Sequence, residues 1–192
     1  MNHRVSVPIR SRWDIEILRA IKEGYNRPSL LQRRQPHLPK RTLLRRLKHL
    51  QQSGLIEVMS KATANSHSNA SLTGLRLTQQ GEKWLQAIAC FEVVGLSPEQ
   101  IVRVCPMLQC PCRLRSLELL LHKPVRPRLL VLGIKAPRKL VFEHLKRLYD
   151  LKVVVRKVIP TRPVQVHYRL TPKGERIISA LLEARQILDT IS

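Results

Sequence analysis

Four cysteines, Cys90, Cys105, Cys110 and Cys112, fall within 23 residues in the spacing C-x14-C-x4-C-x-C. As thiolates they could hold zinc or an iron–sulfur cluster, because soft sulfur ligands select both. The spacing matches no common zinc knuckle, however: C-x2-C is absent and Cys110-Pro111-Cys112 is tighter than the usual pair. Cys90 and Cys105 also read as helix residues, so buried or free thiols are the alternative, and no cofactor is required. His37, His49, His122 and His144 have no partner at ligand spacing and read as surface or capping residues. For catalysis the sequence offers no phosphate-cradling glycine loop, no H-E-x-x-H and no nucleophile elbow. Its 13 acidic residues are scattered rather than clustered around a metal-ion site. An enzyme is not expected.

The other side chains able to do chemistry are cationic. The 192-residue chain has 35 Lys and Arg against 13 Asp and Glu, a formal net charge of +22. Such a surface repels itself unless it meets an anion, and the commonest macromolecular anion is nucleic acid. At 43% hydrophobic residues the chain can bury a core, which excludes a disordered basic tail. Apolar runs such as Leu129–Leu132 fall far short of the roughly 20 residues that span a bilayer, so no membrane role is expected. Residues 1–11, an N-terminal extension, lack the apolar core of a secretion signal, and a reducing cytoplasm is the default compartment.

The elements that must carry these charges come in two copies. Leu77-Thr78-Gln79-Gln80-Gly81-Glu82 is echoed 93 positions on by Leu170-Thr171-Pro172-Lys173-Gly174-Glu175. Leu47-Lys48-His49-Leu50 and Pro39-Lys40-Arg41 are echoed 98 positions on by Leu145-Lys146-Arg147-Leu148 and Pro137-Arg138-Lys139. The five-residue difference falls in the polar stretch Ala62–Thr73, which the second copy shortens to a turn around Pro160–Pro163. Periodicity predicts helices over 12–22, 29–35 and 39–53, a hairpin of 55–60 with 75–77, and a helix from about 79. The second copy predicts helices over 114–122, 126–132 and 137–150, strands 153–158 and 164–170, and a helix over 173–191. Ser97-Pro98-Glu99-Gln100 reads as a cap, first-turn proline and capping box opening a helix through Val104. The expected domains are 12–90 and 113–192, joined by a cysteine-containing linker, 91–112.

Three helices, a two-stranded hairpin and a closing helix follow the order of a winged helix-turn-helix. Thr42-Leu43-Leu44-Arg45-Arg46-Leu47 with Leu50 and Gly54-Leu55-Ile56 resembles the recognition helix and following strand of MarR, PadR and ArsR-type transcriptional regulators. The Leu-Thr-x-x-Gly-Glu pieces are similar to the strand-to-helix junction after the wing in the MarR and PadR groups. The second copy departs from the pattern in having Leu151-Lys152-Val153 where the first has a glycine. The implied fold is mainly α with small β-hairpins, two tandem winged helix-turn-helix domains.

A helix in a major groove needs basic or hydrogen-bonding side chains on its outward face. Lys40, Arg41, Thr42, Arg45 and Arg46 supply them in the first copy, and Arg138, Lys139 and Lys146 in the second. Arg41 and Arg45 are the candidates for base contact, since a guanidinium can grip guanine with two bonds. Lys61 and Arg76 border the first wing; Arg156, Lys157, Arg162 and Arg169 border the second. Trp13, Trp84, Phe91, Phe142 and Tyr149 fall on or near the core faces of helices, which favours duplex DNA over single-strand stacking. Ile177, Ala180, Leu181, Ala184, Ile187, Leu188 and Ile191 make a stripe for internal packing, a homodimer or a protein partner. The expected function is a sequence-specific double-stranded DNA-binding transcriptional regulator, a repressor, cytoplasmic and nucleoid-associated. The alternative is a DNA-binding structural or adaptor subunit in replication initiation, transposition or recruitment.

Overall fold

The structure is a computed structural model that describes residues 8–59, 74–108, 111–121, 123–134 and 136–190, without the side chains of 111–113. Lys61, Cys110, His122, Ile191 and the polar stretch 62–73 therefore lie outside the described residues, as does the Cys112 side chain. The chain divides into two compact units: the first takes in residues up to 89, 96–105 and 187 onward, the second 90–95 and 106–186.

In the first unit, α1 (Arg12–Lys22) starts where the Ser11 hydroxyl accepts the Trp13 N–H. It buries Asp14, Ile15, Ile17, Leu18, Ala20 and Ile21. Next come α2 (Pro28–Arg34) and α3 (Lys40–Gln52), and α3 buries Leu43, Leu47 and Leu50. Each of those leucines contributes about 1.5–3 kcal/mol by leaving water. The strands β1 (Ile56–Met59) and β2 (Gly74–Leu77) pair antiparallel, Ile56 facing Leu77 and Glu57 facing Arg76. The helix α4 (Gln79–Val93) follows, then α5 (Pro98–Val104), which opens on the predicted capping box of Ser97 and Gln100.

The second unit repeats this order with α6 (Pro111–Leu121), α7 (Pro127–Ile134), α8 (Arg138–Asp150), β3 (Val154–Ile159), β4 (Gln165–Leu170) and α9 (Pro172–Asp189). Along α9, Ile177, Ala180, Leu181 and Ala184 are buried within the chain, while Ile187 and Leu188 are half-buried. Most of the described part of that stripe is thus spent on internal packing.

The repeated motifs have a common physical cause. At the end of α3, Gly54 adopts φ +69°, and the Leu55 N–H turns back to the Leu50 carbonyl at 3.0 Å, a left-handed helix cap. The Thr78 hydroxyl then donates to the Gly54 carbonyl at 2.6 Å and accepts the Gly81 N–H at 3.0 Å. The second unit copies every bond. The Val153 N–H reaches the Leu148 carbonyl, Thr171 donates to the Lys152 carbonyl at 2.8 Å, and Gly174 donates to Thr171 at 2.9 Å. A side chain at Gly81 would collide with the Leu55 carbonyl, and one at Gly174 with that of Val153, so only glycine lets the closing helix sit against the strand.

Lys152 takes the place of Gly54 and still adopts φ +57°. The glycine missing from the sequence is therefore replaced by a strained lysine, not by a different turn. That strain costs about 1–2 kcal/mol, and glycine returns part of the gain through its greater unfolded-state freedom. Lys152→Gly should raise stability by about 0.5–1 kcal/mol, whereas Gly54→Lys should lower it by about 1–2 kcal/mol. Urea unfolding midpoints test the pair; equal effects of the same sign would refute the assignment.

Candidate nucleic-acid interface

The burial of Leu43, Leu47 and Leu50 fixes which face of α3 is open. Lys40, Arg41, Arg45 and Lys48 are all exposed, and Arg41, Arg45 and Lys48 follow the i, i+4, i+7 spacing of one stripe. Thr42 is half-buried. No acidic residue occurs anywhere in α3. Its counterpart α8 buries Val141, His144, Leu145 and Leu148, and exposes Arg138, Lys139, Lys146 and Arg147 together with Glu143 and Asp150. A carboxylate repels phosphate, so α3 presents the cleaner cationic surface of the two.

Arg46 is placed apart from the other α3 cations. Its guanidinium lies 3.7 Å from the carboxylate of Asp14 on α1, and Asp14 is completely buried. The same carboxylate accepts the Arg10 N–H at 2.8 Å. Burial pushes the Asp14 carboxyl above its ordinary value, opposed by the Arg10 N–H bond and by the charges of Arg46 and His49. His49 is held by the Pro8 carbonyl at 3.0 Å. Arg46 thus braces α3 against α1. Asp14 escaped the sequence reading although a signal existed, since it shares the buried stripe of Ile17, Leu18 and Ile21.

The wings differ in how free their cations are. In the first, Arg76 donates to Glu57 across the strands at 2.7 Å, which neutralises part of its charge. In the second, Arg156, Lys157, Arg162 and Arg169 are exposed, and none of them pairs with a carboxylate among the described residues. A backbone bridge holds each wing to the segment before the second helix of its unit. Tyr168 and Val125 exchange N–H and carbonyl at 2.9 Å, and the Leu75 N–H reaches the Asn26 carbonyl at 2.7 Å.

Two expectations need correction. Phe142 is 37% exposed and Tyr149 53% exposed, so neither is a core aromatic. The stripe of Val141, Leu145 and Leu148 leaves both one step off the buried face. His144 is buried instead of lying on the surface. Cys105 is fully buried with its thiol pushed up to about 12 by desolvation, as suits a neutral core side chain. Cys90 is half-buried, and its thiol is also raised, first by burial and then by Glu183. Among the described residues no group of three or more His, Cys, Asp or Glu could hold a metal ion, so the zinc or iron–sulfur expectation finds no support there. No described helix is long and apolar enough to cross a membrane.

The sequence matches the HxlR-like helix-turn-helix family twice, over residues 8–92 and again over 113–190. The chain belongs to this family. An HxlR-like chain is a winged helix-turn-helix DNA-binding transcriptional regulator, the architecture and broad role expected from the MarR, PadR and ArsR resemblance. Two similar solved structures are diamide-treated YodB from B. subtilis and the transcriptional regulator Tm0710 from Thermotoga maritima. The first is 24% identical, covering 54% of this chain and 90% of its own, with a TM-score of 0.38. The second is 24% identical, covering 59% of this chain and 78% of its own, also with a TM-score of 0.38. No curated protein matches the sequence.

Two outcomes follow for this HxlR-like chain. The native Asp14 carboxyl keeps its proton to higher pH than the unfolded one, so its contribution to stability is greatest in acid. That contribution declines as pH rises from about 3.9 through the raised native value. Asp14→Asn should remove this decline from a series of urea midpoints; an identical slope in the variant would count against it. Native Cys105 should resist iodoacetamide at about pH 8 and react once the chain is unfolded, as read by peptide mass mapping. Prompt native alkylation would contradict its burial.

Proposed function

We propose that this regulator is a sequence-specific repressor of double-stranded DNA, reading base edges chiefly through α3. The acid-free outward stripe of Arg41, Arg45 and Lys48 carries the reading, because it presents two guanidinium forks and no repelling carboxylate. Lys40, at the start of the helix, meets phosphate, and Arg46 positions α3 through Asp14. In the second unit Arg138, Lys139 and Lys146, with Arg156, Lys157, Arg162 and Arg169 of the wing, supply contacts to the phosphate backbone. Such contacts fix register and orientation without carrying sequence information. Arg76, paired with Glu57, is a weaker contributor at the first wing.

Fluorescence anisotropy at about 150 mM salt tests the division, using a duplex from the chain's own upstream region, single-base variants of it and a scrambled duplex. A preference near 10³ over the scrambled duplex supports a specific, self-repressing factor. Arg45→Ala should cost about 1–3 kcal/mol on the preferred duplex and relax discrimination at one position. Lys146→Ala should weaken every duplex alike and lower the salt slope by about one. Equal, sequence-blind losses from both variants would overturn the assignment of Arg45 to base readout.

A further inference from the structure

The second unit contains a groove of about 620 Å³ at the meeting of α7, α8 and the wing. That volume is within the roughly 300–1,000 Å³ of small-ligand sites. Four arginines wall it: Arg126 and Arg128 at the start of α7, Arg138 at the start of α8, and Arg156 on β3. Among the described residues no acidic side chain lines it. Arg126 is anchored on Gln165, and Arg138 lies over the Phe142 ring, 5.4 Å from its centre. The floor is unlike a phosphate cradle, because Phe142, Tyr168 and the valines of α7 and β4 give it an apolar, aromatic base. The mutual bonds of Val125 and Tyr168 fix the α7 side of the groove to the wing side.

A bare phosphate would use the arginines and waste the floor, whereas a neutral ring would use the floor and leave four concentrated positive charges unpaired. An aromatic ring bearing phosphate uses both. We infer that this groove binds a nucleotide, its phosphate on the guanidinium forks and its base on Phe142 and Tyr168. Among the described residues the first unit lacks this set: counted along the repeat, Arg27, Ser29, Lys40 and Val58 stand where the four arginines are, and Leu44 and Leu75 replace the two aromatics. The nucleotide could be an unpaired residue of a strand or a free mononucleotide; the chemistry is common to both.

Calorimetric titration of the full chain at about 150 mM salt, with AMP, adenosine, inorganic phosphate and the single strand (dA)4, tests the inference. AMP should bind at least about tenfold more tightly than either phosphate or adenosine. If (dA)4 binds more than about tenfold more tightly than AMP, the natural ligand is a strand; if not, it is the free nucleotide. Phe142→Ala should weaken AMP by about tenfold and spare phosphate, since stacking acts on the ring alone. Arg156→Ala should weaken both. Phe142→Leu, which keeps apolar volume without the aromatic face, should behave like Phe142→Ala and serves if the alanine variant fails to fold. Phosphate binding as tightly as AMP, or AMP affinity unchanged in the Phe142 and Arg156 variants, would overturn the site. The groove shares Arg138 and Arg156 with the proposed backbone contacts of the second unit, whereas the α3 reading of duplex DNA is judged by the Arg45→Ala anisotropy result, so either proposal can fail without the other.

Discussion

Each unit depends on one close approach of backbone to backbone, the glycine of the closing helix against the carbonyl at the start of the wing. Around it the recognition helix ends in a left-handed residue, the wing begins, and a threonine bonds to both. Three elements are thereby tied within a few residues. The direction of the recognition helix and the root of the wing cannot vary independently, and DNA contact requires that both be set together. The leucine stripe contributes free energy by burial, but a stripe alone would let the helix roll. The junction removes that freedom.

Electrostatics adds a second restraint and explains how a chain of this charge stays folded. The formal charge is +22, yet a buried ionic contact among the described residues is an attractive one, Arg46 to the buried Asp14. The uncompensated cations lie on outward faces, where solvent and salt screen their mutual repulsion. A buried carboxylate is costly without a partner, and a half-buried guanidinium facing it is held more firmly than a surface ion pair would hold it. The helix α3 is therefore braced by one of its own arginines, whose charge is turned inward toward α1.

Much of this architecture was legible because the repeat preserved the residues with steric or capping duties. Thr78 and Thr171, Gly81 and Gly174, and the leucines of α3 and α8 mark corresponding points, and the element order follows from them. Other features were hidden for physical reasons. A lysine carries no sign that its backbone is left-handed, and only its register with Gly54 shows the need. Phe142 and Tyr149 lie one residue from the buried Val141 and Leu148, about 100° around the helix, and their apolar character hides that they sit outside the stripe. The arginine groove draws on three separated segments, and no local spacing announces it. Arg126-Pro127-Arg128 at the start of α7 is its trace in the sequence.

The unequal wings and grooves have a consequence for the shape of the target. A symmetric pair of identical subunits sees the same chemistry in both halves of its site and is matched by a palindrome. Here a single polypeptide carries two related surfaces that cannot be exchanged. One has an acid-free helix and a wing tempered by Glu57; the other has arginine walls and an aromatic floor. A site recognised through both has a left and a right, so inverting it relative to a neighbouring promoter changes which unit faces the polymerase.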